Sequence, residues 1–431
     1  MARDGVDRRT MLAGALAALP LGARVEARAA PAAPVAGEEA YWRHIADQYD
    51  VTREVIQLEN GNWGMMPRSV LEAYRDNLVR VNRDTSYYTR RGFGPDAKGV
   101  RDQLAEAMGV PADEIAFTRN ATEALKALIL RYNRIGRGDS LLYADLDYDS
   151  MQACMDSLAK RHGATVVRIA LPEPATHDNL IAAYGRAFEE NPKLKLVLLT
   201  RLSHRTGLVV PVREIAAMAR TRGIDVIVDA AHSWYQCDAD IGALDCDFVG
   251  VNCHKWLGAP LGVGAIHIRS SALGRIELDP AESEDRGISS RVHTGTSDFA
   301  AILTAPAALA FHRGIGDERR MQRLRALRDR WVAQIRHIPR VQILTPDEPA
   351  FHGAITSLRL RDVTSEEGNR KLAAALLDEH GIFTVHRSGV ARGACVRITP
   401  ALFNTMGDMD AAAAAITKLA ASFKADQARH A

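Results

Sequence analysis

From about residue 115 onward, short apolar runs alternate with longer stretches whose apolar residues recur at helical spacing. The pattern predicts a strand at 114–118 and a helix from 122 to about 132. It predicts a strand at 140–143 followed by a helix near 151–162, and a strand at 165–170. The apolar run 194–200 precedes a helical stretch at 212–222. A β-branched run at 225–229 ends in an acid, and strands follow at 246–252 and 264–268. Largely apolar strands separated by helices imply a buried, mostly parallel sheet covered on both faces, with ligands beyond the carboxyl ends of the strands. Farther along, 299–338 reads as helical with a break at Gly314 to Gly316. Strands at 354–360, 383–386 and 395–399, and helices at 366–380 and 409–424, then suggest a second, smaller α/β domain.

Composition narrows the class. A chain of 431 residues has room for a few domains and a large core, and 47% hydrophobic with 25% charged residues excludes a disordered or fibrous chain. Lys+Arg number 55 against 53 Asp+Glu, a net charge of +2 without a basic cluster, which argues against nucleic acid as a partner. The five cysteines (Cys154, Cys237, Cys246, Cys253, Cys395) are odd in number and lack a CxxC pair. They predict neither a disulfide framework nor a metal site.

Residues 1–29 read as an address. Arg8-Arg9 precede an apolar run from Met11 to Ala23, too short to span a bilayer, and Ala27-Arg28-Ala29 offers a small-x-small cleavage site. The DRRTML stretch resembles a twin-arginine export signal, with Met11 where Phe is commoner; a frayed N-terminal helix is the alternative. Removing the segment would leave a formally neutral chain. The expected organisation is a signal at 1–29, a lead-in arm at 30–55, a large domain at 56–300 and a small domain at 301–431. The resemblance implies export of a folded protein by the twin-arginine machinery to the periplasm, without stable membrane anchoring.

Three segments carry the candidate chemistry. Lys255, in VGVNCHKWLGAPLGVG, follows an apolar strand; partial desolvation there would favour a neutral, nucleophilic amine. Asp229, in VIVDAAHS, ends an apolar strand, where a buried carboxylate needs a cationic partner. Thr122, in TRNATE, opens a helix whose N-terminus suits a phosphate. Taken singly, each has a plainer reading: a strand-end lysine, a capping aspartate, an ordinary N-cap.

Taken together, the order phosphate site, acid, lysine resembles the fold-type-I pyridoxal-phosphate enzymes of the class-V aminotransferase superfamily. DAAH and NCHKWLGAPLGVG are most similar to its isopenicillin-N epimerase-like branch. The resemblance implies pyridoxal 5'-phosphate as cofactor and an amino-acid-like small-molecule substrate. Lys255 would join the cofactor aldehyde and later move the α-proton. Asp229 would pair with the pyridine nitrogen, and His232 would contact the phenolic oxygen. Ala121, Thr122 and His254 would hold the phosphate. Tyr148 would stack on the ring and His204, in LSHRTG, would lie near substrate. Thr296, in HTGTSD, would reach the phosphate of a neighbouring subunit, which implies a homodimer. Arg397, in CVRITPALFNT, would clamp a substrate carboxylate, with Asn62 also facing substrate. For Tyr148, His204, His232, Thr296 and Arg397 purely structural roles stay open. Epimerisation, transamination and elimination all remain possible outcomes. The branch also includes a periplasmic enzyme that modifies a siderophore (pyoverdine) side chain. Cysteine desulfurase or C–S lyase activity is less expected, because 381–386 holds no cysteine and Cys395 falls inside a predicted strand. A cofactor-free binding protein is disfavoured by the retained lysine, acid and arginine.

Overall fold

The computed structural model describes residues 39–424. The expected export signal at 1–29 lies outside the described residues, as does the first part of the arm. Within the arm, helix α1 (Glu39–Ala46) buries Tyr41, Trp42 and Ile45. Arg323 fixes it, bonding Glu39 at 2.6 Å and lying 5.3 Å from the centre of the Trp42 ring. Strand β1 (Ile56–Gln57) and helices α2 (Arg68–Arg91) and α3 (Phe93–Met108) come next. The hydrophobic pattern did not reveal these helices. Helix α2 buries only Val70 and Tyr88 and is bent at Thr85, so its largely polar sequence gives a weak core signal.

The alternation expected from the sequence then appears. It runs β2 (Ile115–Thr118), α4 (Ala121–Leu130), β3 (Ser140–Ala144), α5 (Asp149–His162), β4 (Thr165–Ile169), α6 (His177–Glu190), β5 (Leu194–Thr200), α7 (Val212–Arg220), β6 (Asp225–Asp229), β7 (Phe248–Asn252) and β8 (Gly264–Ile268). Helix α6 is an addition to the expected series; Thr176 and Asn179 close its first turn as a capping box. The seven strands lie in the order β2-β8-β7-β6-β5-β3-β4. Contacts from β4 across to β7 are parallel, whereas β8 runs antiparallel to both β7 and β2. The short 253–263 connection has no room for the crossover a parallel return would need. Alternate residues serve opposite faces. Val197 and Leu199 join the core under α6, α7 and helix α8 (Phe299–Ile315), while Leu196 and Leu198 join the core under α4 and α5.

Helix α9 (Asp317–Ile335) follows a break at Gly316, whose φ of 88° suits glycine, at the place the sequence marked. The remaining elements are β9 (Val341–Ile343), β10 (Thr356–Leu360), α10 (Glu366–His380), β11 (Ile382–Phe383), β12 (Val385–Arg387), β13 (Cys395–Ile398) and α11 (Met406–Ser422). They build a four-stranded antiparallel sheet, β12-β13-β10-β9, over a core that includes Trp331, Leu358, Val396 and Ile416. Packing changes hands between the two long helices. The apolar residues of α8 join the large core, and Leu327 to Ile335 of α9 join the smaller one. Strand β1 pairs in parallel with β11, so the chain just before residue 60 is anchored on the C-terminal unit and then crosses to the large sheet. Among the described residues, no single helix is long and apolar enough to cross a membrane.

One buried acid ties the sheet to the loop that carries Tyr148. Asp147 accepts the backbone N–H of Ala144 at 2.7 Å and that of Thr200 at 2.8 Å, one on each carboxylate oxygen. Burial nevertheless pushes its carboxyl up to about 7. Asp147→Asn keeps the shape but turns an NH2 group toward a backbone N–H. We expect a loss of about 1–3 kcal/mol, measured by denaturant unfolding; unchanged stability would show that the second hydrogen bond is dispensable.

Candidate active site

The carboxyl ends of the central strands open onto a cavity of about 480 Å³. Thr200 ends β5, Asp229 ends β6 and Asn252 ends β7; Tyr148 follows β3. All four line the cavity, together with Asn62, Ala121, Thr122, His204, His232, His254, Lys255 and Arg397. Ten of the eleven residues expected from sequence therefore meet here. A larger cavity, about 600 Å³, lies beside β2 and α3 and holds none of them.

Lys255 sits where the chain leaves β7. Its Nζ is 2.9 Å from His232 Nε2. On the other side of the imidazole, Trp256 Nε1–H donates to His232 Nδ1 at 3.5 Å. With Nδ1 accepting, the ring proton belongs on Nε2 and is donated to the Nζ lone pair, an assignment made from the network. That arrangement needs an uncharged amine. Burial favours that form, lowering Lys255 to about 8 against the opposing pull of Asp229, so the neutral amine prevails above that pH. Burial holds His232 well below the ordinary imidazole value, and Lys255 adds to this whenever it carries its proton. Gly64 packs against this segment. Its N–H donates to the His254 carbonyl at 2.8 Å, and a Cβ would overlap the carbonyl oxygen of Lys255.

Asp229 is buried, and its carboxyl is pushed up by desolvation. Oδ1 accepts the Ala231 N–H at 2.9 Å. Oδ2 has no hydrogen bond from the described residues, so the acid presents an unused acceptor to the cavity. At the start of α4, Asn120 caps the helix by accepting the Glu123 N–H at 2.9 Å. Here one expectation is corrected: the Ala121 N–H is already donated to Asn252 Oδ1 at 2.7 Å, so it is not a free phosphate donor. The hydroxyl of Thr122 carries no such commitment. His254 is buried, and burial lowers it to about 4, so it is neutral; its Nδ1 has no hydrogen-bond partner among the described residues.

Tyr148 is 37% exposed at the cavity mouth, which corrects the alternative of a core aromatic. It meets His204 edge to face, with ring centres 5.3 Å apart. His204 in turn lies nearly parallel to His232 at 6.4 Å, and burial with the nearby arginines holds it well below the usual imidazole range. Thr296 is exposed and lies outside the cavity of its own chain.

Arg397 is where the site departs most from expectation. Its guanidinium is buried but not free. Nη2 bonds both carboxylate oxygens of Glu59 at 2.6 Å, and Nη1 donates to the His204 carbonyl at 2.7 Å. A buried cation requires a counter-charge, and the fold supplies it from within. Glu59 reaches it from the strand-like segment after β1 and also meets Arg387 Nη2 at 3.3 Å. Glu59, Arg387 and Asn252 are the participants the sequence reading missed. Glu59 belongs to no recognisable motif, and Arg387 in VHRSG reads as an ordinary edge-strand cation. Asn252, directly before Cys253-His254-Lys255, was the one with a positional signal. Among the described residues, no cysteine lines the cavity. Cys395 is buried on β13, with its Sγ near the carbonyl oxygens of Arg205 (3.7 Å) and Arg387 (3.8 Å).

With this geometry in place, the relationships of the chain can be stated. It is 26% identical over 403 residues to isopenicillin N epimerase of Amycolatopsis lactamdurans, covering 88% of this chain and 98% of that one. It is 28% identical over 342 residues to isopenicillin N epimerase of Streptomyces clavuligerus, covering 75% and 84%. The fold is similar to that of a cysteine desulfurase from Thermococcus onnurineus NA1, with a TM-score of 0.74 at 20% identity over 88% of this chain and 98% of that one. Residues 64–411 match the family described as aminotransferase class-V, and the chain belongs to that family.

Proposed function

We propose that this protein moves a proton at the α-carbon of an amino acid, or of a metabolite that contains one, with epimerisation as the reaction and the periplasm as the place. The coarser statement is firm: it is a class-V enzyme that uses pyridoxal 5'-phosphate and acts on amino acids. The observation that carries the finer reading is the Lys255 amine, lowered to about 8 and set beside His232 in the same cavity as a buried acid with an unused oxygen.

The residues present fit the cofactor. The unused Asp229 Oδ2 suits a protonated ring nitrogen, and a Lys255 Nζ lowered to about 8 suits an aldehyde. Thr122 and His254 would hold the phosphate, Tyr148 would cover a ring face, and His232 would lie at the phenolic oxygen. When bound, the cofactor supplies an electron sink that makes an α-proton acidic. The protein's share is to place bases. Lys255 Nζ, with a value near neutral, can both take and return a proton. His204 and His232, neutral at working pH, keep positive charge away from Nζ. Tyr148 at the mouth restricts water. The absence of a cysteine from the cavity lining argues against sulfur transfer through a protein thiol. Similarity running along nearly the full length of an isopenicillin N epimerase supports epimerisation over transamination. Thr296, exposed and away from its own cavity, is assigned to contact with a second copy in a homodimer.

Three outcomes test this reading. Wild-type protein carries a visible cofactor band that Lys255→Ala abolishes. Capture of cofactor by the apo-protein rises with pH only up to about 8 and then levels, because the amine is neutral above that value; an ordinary lysine keeps gaining toward 10.5. A rise continuing past pH 9 would contradict the lowered value. Chiral analysis after incubation with amino acids or amino-acid-bearing metabolites should show D/L interconversion without keto acid; keto-acid formation would instead mark a transaminase. For the address, replacing Arg8 and Arg9 by Lys should leave uncleaved precursor in the cytoplasm, and unchanged periplasmic recovery by cell fractionation would refute twin-arginine export.

A further inference from the structure

We propose that Glu59 determines specificity by closing the Arg397 fork to a free carboxylate, so that recognition of the substrate's anionic group passes to Arg387. This rests on the reading of the cavity as a cofactor site for amino-acid chemistry and names which guanidinium meets the substrate there.

Both terminal nitrogens of Arg397 are engaged, which leaves its buried Nε as the unpaired donor. Both Glu59 oxygens sit 2.6 Å from Nη2, and Nη1 is taken by the His204 carbonyl. Gly61 lies flat against the guanidinium; a Cβ there would collide with Nη2. The pair is desolvated, with side-chain exposures of 1% for Arg397 and 7% for Glu59. A substrate carboxylate could take the fork only by expelling Glu59, leaving a buried and uncompensated charge, or by crowding in beside it against like-charge repulsion. Both are costly.

Arg387 differs in exposure and in pairing. It touches Glu59 only through Nη2 at 3.3 Å, its side chain is 29% exposed, and it lines the cavity. Its Nε, like that of Arg397, is buried without a hydrogen-bond partner. Counting Glu59, Arg387 and Arg397 together leaves one positive charge, and that charge sits on the guanidinium with open donors. Burial and the neighbouring Arg397 hold Arg387 down to about 10, the signature of a cation short of anions. The strand end that carries it is fixed from the large domain: Arg205 bonds the Ser388 carbonyl and Asp149. The subsite is therefore preformed. It suits a planar anion such as a carboxylate.

The test is a titration of the cofactor absorbance of the loaded protein with glycine and with glycinamide, which differ only in the charged group. Arg387→Gln should weaken glycine by about tenfold while shifting glycinamide by less than about threefold. Glu59→Gln should move the preference toward glycine by about tenfold, because Arg397 gains an open charge. An unchanged glycine-to-glycinamide preference in Arg387→Gln, or an equal loss of both, overturns the assignment to Arg387. An unchanged preference in folded Glu59→Gln overturns the role given to Glu59. If Glu59→Gln does not fold, Arg387→Gln decides alone. A wild-type protein that carries cofactor yet responds to neither compound, or carries none, refutes the underlying reading of the cavity and this assignment with it.

Discussion

A lysine ammonium is poorly tolerated away from water, and the site is organised around that fact. Lys255 leaves a strand buried on both faces, so its amine is offered little solvent. The fold gives it a histidine whose proton points toward it and a carboxylate that is too weakly paired to recharge it fully. The cost of desolvation is thereby turned into nucleophilicity. The surrounding pieces follow. Trp256 fixes the histidine tautomer, Gly64 lets the 60–64 segment close over the lysine backbone, and the neutral histidines avoid adding charge that would lower its proton affinity further.

The same logic of buried charge explains the far wall. Glu59 and Arg397 come from opposite ends of the chain, and their contact depends on β1 joining the C-terminal unit through β11. The segment 59–64 thus touches two things at once: the guanidinium of the small unit and the lysine turn of the large one. A cavity assembled in this way is sensitive to how the two units sit, because the walls that recognise substrate and the group that does chemistry meet through this short stretch and through the bonds of Arg397 to His204 and of Arg205 to Ser388.

Much of this was legible in the residues. Strands β3, β5, β6 and β7 announce themselves through apolar runs, and Asp229, Lys255 and Thr122 stand at their ends because ligands of such sheets collect there. What stayed hidden has a common cause. Helix α2 is mostly polar and buries little of itself, and α3 shows its apolar spacing only in its second half, at Val100, Leu104 and Met108. The reversal of β8 depends on the length of a loop and leaves no trace in strand composition. The Ala121 amide looks available until Asn252 is seen to accept it, and Arg397 looks free until Glu59 is seen to fill it. Local pattern reports which side chains are polar; which polar groups have already found each other is settled only by long-range packing.

The claim on which all of this turns is covalent attachment at one amine. Borohydride fixation of the cofactor to the purified protein, followed by peptide mass spectrometry, measures it directly. The account predicts a single modified peptide, the one containing Lys255. Cofactor mass on another lysine, or none on any peptide from a protein loaded with cofactor, would contradict it.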